Sequence, residues 1–146
     1  MTIQPPAKKP CPGCPYREDV PSGVWHEDEY DKLRTYDRPT GEQPPGLFQC
    51  HLLDRDDPRA RVCAGWAGCH DMDESLGLRI GYASGDVTLE TAEAIVAYES
   101  PVPLFASGTE AAEHGMREIL NPGPEAVELI RKIERVRGDL TTPSGD

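Results

Sequence analysis

Residues 11–17 read CPGCPYR, two cysteines separated by two residues in a proline-rich loop near the start of the chain. Such a pair presents two thiolates on one side, about right for adjacent corners of a tetrahedral metal site. Three more cysteines follow at 50, 63 and 69, and Cys50 and Cys69 each carry a histidine immediately behind them, His51 and His70. The later thiols come from a distant segment that folding must return to the loop. That is the topology of a metal cross-brace, and it suits a chain short of apolar interior.

The composition says that the interior is short. Hydrophobic residues make up 37% of 146, with only two Phe, two Trp and three Met, while fifteen prolines and fourteen glycines commit much of the chain to loops. A small domain of this kind needs a staple in the form of disulfides, a metal or a partner. Five cysteines are an odd number, which disfavours a fully paired disulfide framework. The N-terminal MTIQPPAKKP has no apolar segment and does not read as a signal peptide, and no run reaches the length of a membrane span. The expected setting is the cytoplasm, where thiols stay reduced and cysteine clusters more often bind metal than pair.

Among the candidate ligands Cys11 and Cys14 come first, then Cys50 and Cys69, then Cys63. His70 either replaces a thiolate or stands outside the first shell and hydrogen-bonds a sulfur. His51 is weaker, because in a strand over LFQCHLL successive side chains face opposite ways and Cys50 and His51 could not easily share one ion. Structural zinc is the favoured occupant. A [4Fe–4S] or [2Fe–2S] cluster is the competitor, since it also takes four cysteines and tolerates the loose C-x5-C spacing of Cys63 and Cys69.

Other chemistries fit less well. A redox dithiol of the thioredoxin kind normally opens a helix behind a strand, and Pro12, Pro15 and the absence of a preceding strand oppose it. Cys69, His70 and Asp71 are contiguous, but a nucleophile and its base must meet in space, not in sequence. Asp71, Asp73 and Glu74 read as charge at a helix start. GYASGD lacks the strand, spacing and lysine of a phosphate loop. Trp25 and Trp66 read as packing against the cysteine loops. The balance favours a non-enzymatic protein of the interaction or regulatory kind, with an iron–sulfur redox sensor or electron-transfer module as the second reading and a metalloenzyme holding an open coordination site as the third.

With 26 acidic against 15 basic residues the net charge is −11. Such a surface repels phosphate backbones, and Lys8, Lys9, Arg17, Arg59 and Arg61 are too dispersed in sequence to make a basic patch, so direct nucleic-acid binding is disfavoured. The acidity serves solubility or faces a protein partner.

The pattern predicts a mainly α fold with little β. Residues 1–10 read as a flexible arm, 11–138 as one metal-stabilised domain with a cysteine-rich part (11–70) and a helical part (71–138), and 139–146 as a disordered tail. A helix is expected from Ser22, with Trp25, Tyr30, Leu33 and Tyr36 roughly on one face. A second, capped by Asp71 or Asp73, carries Met72, Leu76 and Ile80 and ends at Gly85. Thr88 caps a third with Leu89, Ala92, Ile95 and Val96 inward, closed by Pro101. Ser107 and Glu110 form a capping box ahead of Ala112, Met116, Ile119 and Leu120. Pro124 opens a last helix with the stripe Val127, Ile130 and Ile133, stopped by Gly138.

The blocks KKPCPGCPYREDVPSGVWHEDEYDKL, YDRPTGEQP, FQCH and CAGWAGCHD, in that order over residues 8–82, resemble an uncharacterised cysteine-rich domain family of actinobacteria and their phages, with VPLFASGTEAAEHG in further support. The resemblance implies that Cys11, Cys14, Cys50, Cys63, Cys69, His51 and His70 occupy the family's motif positions, and that the source is actinobacterial or phage. It names no metal and no activity.

Overall fold

The helices start where the sequence offers a side chain to cap them. The structure is a computed structural model that describes residues 3–49 and 61–137. Among those residues stand α1 (Glu27–Thr35), α2 (Ala64–Cys69), α3 (Leu76–Ser84), α4 (Leu89–Val96), α5 (Gly108–Met116) and α6 (Pro124–Arg137), with 3₁₀ turns at Thr40–Glu42 and Met72–Glu74. Ser75 accepts from the Leu78 N–H, Thr88 from Thr91 and Ser107 from Glu110, each at 3.1 Å, satisfying donors that a first turn leaves open. Only isolated bridges join extended segments among the described residues: Gln4 with Arg61, Arg17 with Leu104, and Gln49 with Val62. The fold is mainly α, as the pattern predicts.

Several boundaries differ from the expected ones. The first helix begins at Glu27, not Ser22. His26 caps it, its Nδ1 accepting from the Asp28 N–H at 3.1 Å, and Glu27, Asp28 and Glu29 then face the positive end of the dipole. Ser22 is committed elsewhere: its hydroxyl donates to the Gly115 carbonyl and accepts from the Glu118 N–H. Trp25 therefore precedes the helix, and Tyr36 follows it. The segment CAGWAGC, read as tight turns, forms α2. The helix expected from Asp71 divides into a 3₁₀ turn and α3. Its inward residues are Met72, Gly77, Leu78 and Gly81, whereas Ile80 is exposed. In α4 Ile95 is buried, but Leu89 and Val96 face out. Leu120, placed inward by periodicity, is 97% exposed. Of the strand expected over LFQCHLL, Leu47 and Phe48 belong to no strand and Gln49 forms an isolated bridge to Val62, while residues 50–53 lie outside the described residues.

One continuous core joins both parts of the chain. Tyr16, Val24, Trp25, Tyr30, Leu33, Val62, Trp66 and Ile95 are almost wholly buried. The helical part supplies Ala111, Ala112, Ala126 and Ile133 to the same cluster, with Leu129 and Ile130 packed on it. The Tyr30 ring lies across Gly115, which brings α1 and α5 close, and its hydroxyl accepts from the Val24 and Trp25 N–H groups. The residues read as an N-terminal arm make contacts of their own: the Ile3 N–H donates to Asp86, the Val62 N–H donates to Gln4, and Tyr98 donates to the Lys8 carbonyl. The expected tail at 139–146 and the helix stop at Gly138 lie outside the described residues.

Candidate metal centre

The CPGC loop is a run of turns fastened from three sides. Cys14 N–H donates to the Cys11 carbonyl at 3.0 Å, and Arg17 N–H to the Cys14 carbonyl at 3.1 Å. The Trp25 indole donates to the Gly13 carbonyl at 2.7 Å, beside Ile133 of α6. The Arg17 guanidinium reaches back to the Pro10 carbonyl at 3.0 Å, held in that pose by a two-pronged pair with Asp19 at 2.7 and 2.8 Å. Each anchor spares the sulfurs and fixes the backbone that carries them.

Cys63 arrives from the distant segment. Its N–H donates to the Phe48 carbonyl at 2.8 Å, and it opens α2 as the N-cap residue. The next turn brings Gly65 against Cys14: a Cβ added there would run into the Cys14 sulfur and meet the Tyr16 Cβ at 2.9 Å. Only glycine lets α2 approach the CPGC loop this closely. Cys11, Cys14 and Cys63 then line one cavity of about 70 Å³, with Lys9 and Arg61 at the same wall. The two basic residues, far apart in sequence, are brought together by the bridge of Gln4 to Arg61.

Cys14 and Cys63 are buried and Cys11 is half-buried. Hydrogen bonds with the Cys11 and Cys63 thiols, then burial, then their like charge push Cys14 well above the ordinary cysteine value. Cys14 and Cys63 carry thiols rather than a disulfide. A buried thiol such as Cys14 ionises only when a cation compensates it. Among the described residues no three His, Cys, Asp or Glu side chains already stand in ligand geometry, so the sulfurs would have to close on an ion.

The other sequence candidates are placed apart. Cys69 ends α2 and is absent from that cavity wall; burial, then the nearby charge of Asp37, pushes its thiol up to about 12. Both ring nitrogens of His70 are engaged, Nδ1 with the Trp66 carbonyl at 3.0 Å and Nε2 with Asp37 Oδ1 at 2.9 Å. Asp37 in turn accepts from the Gly108 N–H at 2.8 Å and from the Thr109 N–H and hydroxyl at 2.7 Å, tying α2 to the start of α5. Burial alone would raise this carboxyl, but the hydrogen bonds from Thr109, Gly108 and His70 outweigh it and the net shift is downward. Cys50 and His51 lie outside the described residues; Gln49, bonded to Cys50 in the chain, pairs with Val62, which is bonded to Cys63.

Sequence reasoning missed Asp37, Arg17 and Tyr16. Arg17 had a local signal, since a cation a few residues beyond a C-x-x-C loop can fold back on its carbonyls. Asp37 had none, because its partners are some 33 and 71 residues away. Tyr16 is fully buried against Phe48 and His70, edge to face at 5.8 and 5.7 Å, and its hydroxyl finds no hydrogen-bond partner among the described residues. Burial holds that phenol un-ionised.

No curated protein and no solved structure matches the chain. A family model does, across nearly its whole length: residues 6–137 match the Family of unknown function (DUF6283), and the chain belongs to that family.

Proposed function

We propose that this chain is a small metal-binding protein in which a structural zinc ion, held by thiolates of Cys11, Cys14 and Cys63, organises the loop-rich half, and that the protein acts by binding another protein. One observation supports this reading above the others. Thiols from residues 11 and 14 and from residue 63 line a single small cavity, although about 50 residues separate them. Four thiolates around a divalent ion leave two net negative charges, and Lys9 and Arg61 at the cavity wall offset them. Cys50 is the fourth ligand on sequence grounds, through its bond to Gln49. His70 serves instead to join α2 and α5 through Asp37, and Cys69 stands outside the cavity wall.

Zinc contributes folding free energy directly where the apolar interior is small. An iron–sulfur cluster is the alternative occupant of the same thiols. Elemental analysis and an absorption spectrum of anaerobically purified protein separate the two. The zinc reading predicts a colourless preparation with one zinc per chain. A brown preparation absorbing near ~400 nm would replace zinc by a cluster. Protein without bound metal, whose thiols react equally with and without added zinc, would end both.

A further inference from the structure

Helices α3 and α4 leave an apolar groove open between them. It has a volume of about 410 Å³, with Leu78 and Met72 at its floor and Tyr82, Leu89 and Val96 standing along its walls. Those three wall residues are 51%, 56% and 47% exposed, a large apolar area for a chain so poor in apolar residues. The groove is built, not accidental. Gly85 takes φ 87° to close α3, the Val87 N–H donates back to the Gly81 carbonyl at 3.0 Å, and Thr88 caps α4, so the two helices meet in one fixed turn.

Its rim carries more acid than base, and the sequence around it is acidic. Asp73 and Glu93 line the rim. Between residues 71 and 99 the sequence has Asp71, Asp73, Glu74, Asp86, Glu90, Glu93 and Glu99, seven acids, against the single base Arg79. Arg79 also lines the groove, with its guanidinium donating to the Asp73 carbonyl at 2.8 Å. A second copy of this chain would bring like charge against like charge, which costs affinity. An apolar strip at helical spacing with an acidic border fits the opposite partner.

We infer that the α3–α4 groove docks an amphipathic helix of a partner protein, its apolar side chains set against Tyr82, Leu89 and Val96 and its Lys or Arg residues facing Asp73 and Glu93. This rests on the interaction half of the proposed function and is independent of the metal.

The test titrates two sets of helix-forming peptides into isotope-labelled full-length protein. Both sets share apolar positions at i, i+3, i+4 and i+7 in several registers; one carries Lys elsewhere and the other Glu. Members of the Lys set should shift amides of residues 78–96 saturably, bind at least about tenfold tighter than their Glu counterparts, and weaken with salt. Leu89→Ser with Val96→Ser should cut that binding about tenfold while leaving the thermal transition in place, since both side chains are exposed. The inference is overturned by shifts that map elsewhere, by no binding from any member, or by equal binding of both sets. Self-association that protects these amides without peptide, or a neutral alkyl alcohol occupying the groove as tightly as the Lys set, overturns it too. Zinc content measured on the same samples separates failure here from failure of the metal centre.

Discussion

Gly65 and Asp37 show how single residues hold the site. Gly65 has no room for a methyl group between α2 and the CPGC loop, with the Cys14 sulfur on one side and Tyr16 on the other. Gly65→Ala should therefore destabilise the fold by about 1–3 kcal/mol, the usual cost of overpacking a core, and weaken metal uptake with it. Denaturant unfolding and metal titration of the variant check both; a fully stable variant with unchanged uptake contradicts the close approach. Asp37 joins three segments. Its folded pKa lies below the ordinary carboxylate value, so its contribution is complete above pH ~4 and is lost as pH falls through the lower folded value. Asp37→Asn should flatten the acid limb of the stability profile and change the neutral region through the lost cap to Gly108 and Thr109. A profile whose acid limb is the same in both proteins would show that Asp37 has no such role. Neither residue was legible in the sequence. Gly65 reads as any loop glycine, and the partners of Asp37 come from long-range folding.

At the level of elements, the helix starts were the clearest message in the sequence. Thr88, Ser107 and Pro124 open α4, α5 and α6 where capping and proline chemistry put them, because a cap is a local hydrogen bond. Faces were less legible. Periodicity alone put Leu89 and Val96 inward, yet which side of a short helix is covered depends on what packs against it, and Leu120 lies past the end of α5 at Met116. The missed α2 illustrates tertiary override. Two glycines in CAGWAGC argue against a helix, but buried Trp66 and Ala67 and the approach to Cys14 require one. A pair of substitutions separates covered from uncovered positions. Ile133→Ala should cost about 2–4 kcal/mol, because Ile133 is buried beside the CPGC loop. Leu120→Ser should stay within about 0.5 kcal/mol of the parent. Chemical denaturation of both reads the difference, and equal losses would contradict the packing of α6.

For the molecule as a whole, a thin core is shared between a loop-rich half and a helical half, and the thiol cluster stands where the two segments of the loop-rich half meet. Among the described residues no helix is long and apolar enough to cross a membrane. The sequence made the cysteines conspicuous but ranked Cys63 behind Cys50 and Cys69, because which thiols meet depends on the path of the chain between Cys14 and Cys63. In the structure Cys11, Cys14 and Cys63 line one cavity, Cys69 is not on its wall, and His70 is engaged with Asp37. Removing metal with a chelator should accordingly lower the melting temperature of the parent and of Cys69→Ser alike, whereas Cys14→Ser should start low and respond little. The most direct measurement is cadmium-113 NMR of the metal-substituted protein, which reads ligands through coupling to cysteine β-protons. Coupling to Cys11, Cys14 and Cys63 with none to Cys69 is the predicted result. A bound ion coupled to only one of the two segments, or coupled to Cys69 in place of Cys63, would contradict it.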